Sequence, residues 1–352
     1  MPSLPPLDIK KKINYAPHVV ILGAGASMAA FPNGDLFGRK LPLMRNIIEI
    51  VGLEPLLKSY GVRSGYEDFE SVYSNLADSG GYDNLQAGLE DRIRSYFSSL
   101  RMPPETTIYD LLLLSLREKD VIATFNWDPF LAEAFKRNRI IKNLPVILFL
   151  HGNVDAGACL EHRTKGFLEH RCSVCDRPLE PTPLLFPVKR KDYTSNPFIK
   201  NEWDELQWYL EHAYLITIFG YGAPSTDVEA RNLILNKWEV NKTRDLAEIE
   251  IIDIRPREEV EANWSEFFVR QHYGIFNSID QSLSFMYVRR SCEAFAMATL
   301  QQAPWKENRY PISRIPEDIH EWLRPLLEEE IAGQLTGDPC RMIIPVSERI
   351  QG

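Results

Sequence analysis

The chain has 352 residues and is 44% hydrophobic, enough for one large α/β domain with an insertion or for two modest domains. Its 40 basic and 49 acidic residues give a net charge of −9, which argues against generic nucleic-acid binding, because phosphate neutralisation needs a basic surface. No stretch approaches the roughly 20 apolar residues of a membrane span, and the stretch before Pro17 lacks the apolar core of a signal peptide. We therefore expect a cytoplasmic protein without a membrane segment.

Short apolar runs rich in β-branched and aromatic residues predict the strands of one sheet. They occupy 18–23, 121–125, 146–150, 214–220 and 249–254. Amphipathic segments between them predict helices at 36–60, 83–100, 108–117, 129–137, 202–212 and 227–239. This alternation favours an α/β protein with a Rossmann-like open parallel sheet and crossover helices.

The uneven spacing of the strands predicts two insertions in this sheet. A helical insertion covers about 36–118, and a small zinc-binding insertion covers about 155–190. The core domain is then 16–290, with an N-terminal extension at 1–15 and a C-terminal helical extension at 291–352.

The turns that follow the predicted strands carry the candidate functional residues, because open parallel sheets bind ligands beyond the carboxyl ends of their strands. These turns read "GAGAS" (23–27), "TFNWD" (124–128), "HGN" (151–153), "GYGAPSTD" (220–227) and "DIRP" (253–256). In "GAGAS", the small residues would let backbone N–H groups approach a phosphate, which favours a dinucleotide. Small residues also permit close packing of a helix on a sheet, and this alternative stays open.

Three of the five cysteines lie close together, in a spacing that predicts a metal site. Cys159 and His162 form C-x-x-H, and Cys172 and Cys175 form C-x-x-C. Two such knuckles can place three thiolates and one imidazole around a structural zinc ion. His170 competes with His162 as the fourth ligand, and scattered reduced cysteines are the simpler alternative.

Taken in order, the strand-end motifs and the cysteine-bearing insertion resemble the sirtuin family. The similarity is greatest to divergent bacterial sirtuin-like proteins, many of which serve in anti-phage defence. The segment "LLFPVKRKDY", Trp203 and "ITIFGYGAPSTD" match the pattern of those proteins, and the resemblance covers roughly 16–290.

The resemblance implies that NAD is the substrate and that zinc is structural. His151 would be the general base, and Asn126 and Asp128 would address the nicotinamide ribose and carboxamide. The remaining implied NAD contacts are Gly23, Ala24, Gly25 and Ser27 at the pyrophosphate, Gly220 and Ser225 on the adenosine side, Asp253 near the adenine ribose, Asp35 near the nicotinamide pocket, and Thr124.

The residue types also suit the chemistry, because breaking the nicotinamide–ribose bond builds an oxocarbenium-like centre. An Asn amide can position ribose hydroxyls or water, and a His of near-neutral pKa can activate them. Two features differ from deacylating sirtuins: Phe125 replaces Gln before Asn126, and no Phe-Arg pair follows Asp35.

Our interpretation is therefore an NAD glycohydrolase that yields ADP-ribose and nicotinamide, with a role in anti-phage defence by NAD depletion. The alternatives are an NAD-dependent protein lysine deacylase and a non-catalytic sensor of NAD or ADP-ribose. The resemblance also implies multimers or a partner such as an ATPase or nuclease, although no sequence feature identifies one.

Overall fold

Six parallel strands form the central sheet of the computed structural model, which describes residues 16–187, 193–222, 227–269, 272–300 and 302–336. The sheet order is β3-β2-β1-β7-β8-β9, and every neighbouring pair is parallel. A second, antiparallel sheet has the order β5-β4-β6. The strands are β1 (His18–Leu22), β2 (Val121–Thr124), β3 (Val146–Phe149), β4 (Ala156–Cys159), β5 (Thr164–Phe167), β6 (Glu180–Pro181), β7 (Leu215–Phe219), β8 (Glu248–Ile252) and β9 (Tyr273–Phe276).

Thirteen α-helices lie in the part of the chain that the structure describes. They are α1 (Ala24–Ala30), α2 (Ile47–Val51), α3 (Glu54–Ser59), α4 (Phe69–Ser79), α5 (Asp83–Ser99), α6 (Ile108–Leu114), α7 (Phe130–Asn138), α8 (Pro197–His212), α9 (Val228–Glu239), α10 (Arg257–Trp264), α11 (Leu283–Met286), α12 (Ser291–Leu300) and α13 (Pro316–Thr336). None of these described helices is both long and apolar enough to cross a membrane.

The predicted α/β fold is confirmed, and all five predicted strands are present. Each is buried along nearly its whole length, as expected for parallel strands covered by helices on both faces. The sequence analysis missed β9, which is an edge strand whose four residues are only partly buried. An edge strand has one neighbour, so it needs no continuous apolar run.

The predicted helix at 36–60 is wrong in its first part. The described backbone forms helices only from Ile47, and the segment before it contains left-handed turns at Gly34 and Gly38, with φ of 86° and 74°. Pro42 follows shortly afterwards. Glycine turns and proline end the helical pattern here, although the apolar spacing continues.

Candidate functional site

The turns that the sequence analysis singled out lie along one edge of the central sheet. Leu22 of β1 pairs with Thr124 of β2 and with Phe219 of β7, so these three strands end side by side. Thr124 pairs in turn with Phe149 of β3, and Phe219 with Ile252 of β8. We call this edge the carboxyl edge, and it is the edge where open α/β sheets bind ligands.

The glycines of the first turn lie against another stretch of backbone. The N–H groups of Gly23 and Gly25 donate to the carbonyl oxygens of Phe219 and Gly220, both at 3.0 Å. A Cβ atom on Gly25 would lie 2.8 Å from the Cα of Gly220, and one on Gly23 would lie 2.5 Å from the Gly220 oxygen. Close packing of the first turn on the end of β7 therefore explains both glycines, whereas Ala24 between them is exposed.

A buried hydrogen-bond network joins the turns after β1 and β2. The Asn126 amide nitrogen donates to the Gly23 carbonyl and to the Ser27 hydroxyl, both at 2.9 Å. Ser27 donates to Asp128 Oδ2 at 2.7 Å, and its oxygen lies 2.6 Å from the hydroxyl of Tyr109 on α6. Four predicted site residues, Gly23, Ser27, Asn126 and Asp128, are thus joined by direct hydrogen bonds, and Tyr109 is a fifth member that the sequence analysis did not identify.

The environment of Asp128 changes its acidity. Asp128 is only 4% exposed, and burial raises its pKa from 3.8 to about 6, although hydrogen bonds from Ser27 and the Phe130 N–H oppose the rise. Asn153 donates from its amide to the Asp128 carbonyl oxygen at 2.6 Å. Asn153 belongs to "HGN", so this bond links the turns after β2 and β3.

His151 lies at the end of β3 inside a cluster of aromatic rings. Its ring meets Phe125 edge-on, with 4.8 Å between centroids, and stacks on Tyr193 at 5.7 Å. Phe125 also stacks on Tyr221, with 4.3 Å between centroids. His151 and Asn126 are therefore on neighbouring strand ends, and the ring of Phe125, the residue before Asn126, contacts the His151 ring.

The other predicted NAD contacts in the described residues are engaged in local hydrogen bonds. Thr124 accepts from the Asn126 N–H at 3.0 Å. Asp35 accepts from Arg39 and from the Arg101 N–H, and these bonds lower its pKa despite burial. Both carboxylate oxygens of Asp253 accept from Arg255. Ser225 lies outside the described residues.

The two cysteine knuckles come together as a single cluster. The ligand atoms of Cys159, His162, Cys172 and Cys175 all lie within 4.8 Å of one another. The Cys159 sulfur is 3.4 Å from His162 Nδ1 and 4.0 Å from the Cys175 sulfur, and the Cys172 sulfur is 3.7 Å from His162 Nδ1. A tetrahedral zinc with Zn–S of about 2.3 Å requires separations of about 3.5–3.8 Å, so the donor set fits this ion.

The choice between the two candidate histidines is settled by position. His162 belongs to the cluster, whereas His170 does not and its ring lies 5.5 Å from that of Phe167. The fit with four protein ligands is that of a closed, structural site rather than a catalytic one.

The segment that carries the cysteine cluster is joined to the sheet by an ion pair to the buried Glu202 and by tight packing. Lys165 on β5 contacts Glu202 on α8 at 2.8 Å, and Glu202 accepts from the Phe149 N–H on β3 at 2.8 Å. A Cβ atom on Gly152 would lie 1.7 Å from the Pro183 oxygen, and the Leu185 N–H donates to the His151 carbonyl at 2.9 Å. The insertion therefore supports the strand that carries His151.

Four polar residues of the site were missed as functional candidates: Tyr109, Asn153, Tyr193 and Asp227. Asn153, Tyr193 and Asp227 all fall within quoted motifs, so the ordered motifs contained a signal for them. Tyr109 lies on a helix of the insertion, and nothing in its local sequence indicates that it reaches Ser27.

Comparison with known proteins gives structural matches only. No known family profile and no curated protein matches the chain. A crystal structure of Sir2 in complex with the inhibitor EX-527, 2'-O-acetyl-ADP-ribose and a deacetylated p53 peptide is matched over 84% of this chain and 97% of that one, at 15% identity and a TM-score of 0.36. A structure of Sir2 bound to an acetylated peptide is matched over 84% and 96%, at 14% identity and a TM-score of 0.36.

A third match is a structure described as the structural basis for the mechanism and regulation of Sir2 enzymes, which covers 88% of this chain and 94% of that one, at 13% identity and a TM-score of 0.36. All three of these matches are structures of Sir2 enzymes. At such low identity and TM-score no residue role is transferred from these structures, and the site is described from its own contacts.

Proposed function

We propose that this chain is an enzyme that cleaves the nicotinamide–ribose bond of NAD, with water as the acceptor and ADP-ribose and nicotinamide as products. One observation carries the proposal: Asn126 and His151 lie on neighbouring strand ends at the carboxyl edge, next to the network of Ser27 and Asp128. An amide that can position hydroxyl groups and a base that can accept a proton are what this reaction requires.

The occupied atoms of Asn126 limit what it can do. Its amide nitrogen already donates to Gly23 and Ser27, so its carbonyl oxygen is the atom assigned to a ribose hydroxyl or to the attacking water. Ala24, an exposed residue of the first turn, is assigned to the pyrophosphate. Asp128 holds Ser27 and the first turn in place, and it thereby orients Asn126.

The proposed reaction is a displacement at one ribose carbon. The C–N bond breaks and nicotinamide leaves as a neutral molecule with the bonding electron pair. The water oxygen bonds to the same carbon, and the proton that the water loses passes to His151 and then to solvent. Removal of a proton by a positioned base contributes about 10²-fold to 10⁴-fold in rate.

Water is favoured over an acyl group as the acceptor because of Phe125. Deacylating sirtuins have Gln at this position, by the resemblance, whereas here an apolar ring is stacked on Tyr221 and against His151. A role in anti-phage defence by NAD depletion belongs to the same proposal and rests on the resemblance alone.

Product analysis tests the proposal directly. Purified protein is incubated with NAD, with and without an acetylated peptide, and the products are separated by chromatography. Free ADP-ribose formed without the peptide supports glycohydrolase activity. Acyl-ADP-ribose formed only with the peptide would replace it with deacylation, and unchanged NAD that binds measurably would replace it with sensing.

A further inference from the structure

A hydrogen-bonded chain connects His151 to a buried carboxylate through a tyrosine. The hydroxyl of Tyr193 lies 3.1 Å from His151 Nε2 and 3.0 Å from Asp227 Oδ1. The hydroxyl of Tyr221 lies 3.0 Å from the other oxygen, Asp227 Oδ2. All four side chains are less than 9% exposed. None of these contacts is needed to form the backbone of the sheet.

The direction of these bonds follows from counting protons. A carboxylate can only accept hydrogen bonds, so Tyr193 and Tyr221 each donate their single hydroxyl proton to Asp227. Burial, reinforced by Asp227, raises the pKa of Tyr193 above its usual range, so this hydroxyl keeps its proton. The Tyr193 oxygen is then an acceptor towards His151, which must carry its own proton on Nε2.

We infer that Tyr193 and Asp227 are positioning residues that fix His151 as the tautomer protonated at Nε2. Nδ1 is consequently the unprotonated nitrogen and the atom that can take a proton. The tautomer is inferred from the bonds that Tyr193 makes to His151 and Asp227, whereas its use in catalysis rests on the proposed function.

The orientation of the imidazole is restrained as well as its protonation. The rings of His151 and Tyr193 are nearly parallel, at 16°, and the Tyr193 ring also packs against Trp203 at 4.6 Å. Trp203 donates from its indole nitrogen to the Leu150 carbonyl at 3.2 Å, which anchors it to the residue before His151. Through Trp203, the Tyr193 ring is therefore positioned against the same strand end that carries His151.

This arrangement has a defined consequence for the proposed reaction. When water attacks the ribose carbon, its proton passes to Nδ1, and the Nε2–H bond to Tyr193 is kept. The resulting imidazolium is stabilised by the negative charge of Asp227, transmitted through the Tyr193 hydroxyl. Asp227 itself gains no proton in this step.

The tautomer can be observed without any turnover. Long-range proton–nitrogen NMR spectra of uniformly ¹⁵N-labelled protein distinguish the two neutral forms of each histidine, and a His151→Gln variant assigns the signals among the 7 histidines. The expected result for the parent protein is a proton on Nε2 of His151. A proton on Nδ1 would overturn the inference.

Two tyrosine variants provide a matched comparison. Tyr193→Phe and Tyr221→Phe each remove one hydroxyl that donates to Asp227 at 3.0 Å, but only Tyr193 also contacts His151. We expect Tyr193→Phe to lose the fixed tautomer and to lower kcat by about 10-fold to 100-fold with little change in KM. Tyr221→Phe should keep the tautomer and lower kcat less than Tyr193→Phe does.

The outcomes separate this inference from the proposed function. If the parent has the Nε2-protonated form, Tyr193→Phe loses it, and no NAD is consumed by either protein, the inference holds and the function is wrong. If NAD is consumed but both variants retain the parental tautomer, the function holds and the positioning role of Tyr193 is wrong.

Discussion

The two edges of the central sheet both bury polar residues, but they do so in different ways. At the edge where the strands begin, which we call the amino edge, His18, Lys119 and Asp120 lie together, and Asp120 accepts from the His18 N–H at 2.8 Å and from Lys119 at 2.7 Å. At the carboxyl edge, neutral amides, hydroxyls and aromatic rings surround Asp128 and His151.

Ion pairs continue from the amino edge to the C-terminal helices. Glu330 on α13 accepts from Arg289 at 2.7 and 2.6 Å and from Arg290 at 2.6 Å. His18 is kept neutral, since burial lowers its pKa to about 3, and it bonds to Ser291 and Thr217. Removing one partner of a buried ion pair destabilises a protein, because the other charge stays buried without its partner. The ion pairs at this edge therefore hold α12 and α13 in place.

This difference between the two edges indicates where a reaction is expected. The ion pairs of Glu330 with Arg289 and Arg290 join charges of this chain to one another, so these charges already serve the fold. The carboxyl edge instead places Asp128, His151 and the Asn126 amide oxygen on neighbouring strand ends. Such groups can exchange protons and hydrogen bonds with a ligand. Substitutions at one edge or the other should therefore have different effects on stability and on turnover.

Loss of the zinc ion should damage the support of the carboxyl edge most. We expect about one zinc per chain, and Cys172→Ser should release it and lower the free energy of unfolding by more than about 4 kcal/mol, because metal-ligand free energy is partly folding free energy. Elemental analysis and urea unfolding measure both effects. Cys292→Ala is the control, because Cys292 is buried away from the cluster and its replacement should leave the zinc content unchanged.

Glu330→Gln tests the amino edge alone. Removing the charge leaves Arg289 and Arg290 buried without their carboxylate, so the free energy of unfolding should fall by about 3–5 kcal/mol. Turnover per folded molecule should not change. The exposed pair of Arg324 and Glu321 offers the control, since Glu321→Gln should have little effect on unfolding.

The ion pairs of Glu330 with Arg289 and Arg290 also make the stability of the protein depend on pH. Burial alone would raise the pKa of Glu330, but Arg289 and Arg290 lower it from 4.5 to about 2. A carboxyl whose pKa is lower in the folded than in the unfolded state stabilises the protein at pH values above the unfolded-state pKa. This contribution is lost as the pH falls towards the folded-state pKa. The difference between parent and Glu330→Gln should therefore shrink below pH 4.5 and be small near pH 2.

His151→Ala tests the carboxyl edge as a catalytic site. Turnover of NAD should fall by about 10²-fold, equivalent to about 2.7 kcal/mol in the barrier, whereas NAD affinity should change by only a few-fold. Steady-state kinetics and calorimetry measure the two quantities. Parental turnover in this variant would show that His151 is not the base.

Asn126→Ala should show a mixed effect, and this distinguishes it from His151→Ala. Turnover should again fall by about 10²-fold. The buried bonds to Gly23 and Ser27 are lost as well, so the free energy of unfolding should fall by about 1–3 kcal/mol. Unchanged stability would contradict the network as described.

Asp128→Asn tests the raised pKa in the site. A carboxyl whose pKa is higher in the folded than in the unfolded state stabilises the protein at pH values below the unfolded-state pKa. This contribution is lost as the pH rises from 3.8 through the folded-state pKa of about 6. The stability of the parent should therefore fall relative to the variant across this interval, by about 2–3 kcal/mol. Parallel stability curves for the two proteins over this range would contradict the raised pKa.

Ala24→Asp gives the smallest and most specific effect. Ala24 is the exposed first residue of α1, where a carboxylate is favourable for the helix but would repel a pyrophosphate. NAD affinity should fall by about 10-fold or more with no loss of stability. Gly25→Val is not a usable alternative, because its side chain would collide with Gly220 and disturb folding before any effect on binding could be measured.

The sequence pattern predicted the sheet and the positions of the site turns well. Strand ends in a parallel sheet must meet at one edge, so the order of the motifs was enough to bring Asn126 and His151 onto neighbouring strand ends. The zinc cluster was also predictable, because C-x-x-H and C-x-x-C knuckles hold their ligands locally. Both predictions depend on short-range geometry, namely the direction of a strand and the spacing of ligands within one turn, which can be read from the sequence.

Contacts between distant segments could not be predicted in the same way. Tyr109 reaches Ser27 across 82 residues, and Tyr193 reaches Asp227 across 34. Of the two explanations for the glycines, the structure supports close packing, because Gly23 and Gly25 must approach the end of β7. These contacts depend on how α6 and the segments that carry Tyr193 and Asp227 pack on the sheet.

The fold class, the edge at which chemistry is expected and the three cysteine candidates for zinc thus follow from the sequence alone, because each depends on hydrophobic period, strand direction or local spacing. Only the tertiary structure decided that His162 rather than His170 joins the cluster, that Asn126 has its amide nitrogen occupied, and that a tyrosine holds His151 Nε2. Hydrogen bonds between side chains require positions within about 3 Å. Such positions are set by the packing of whole elements, which no local pattern specifies.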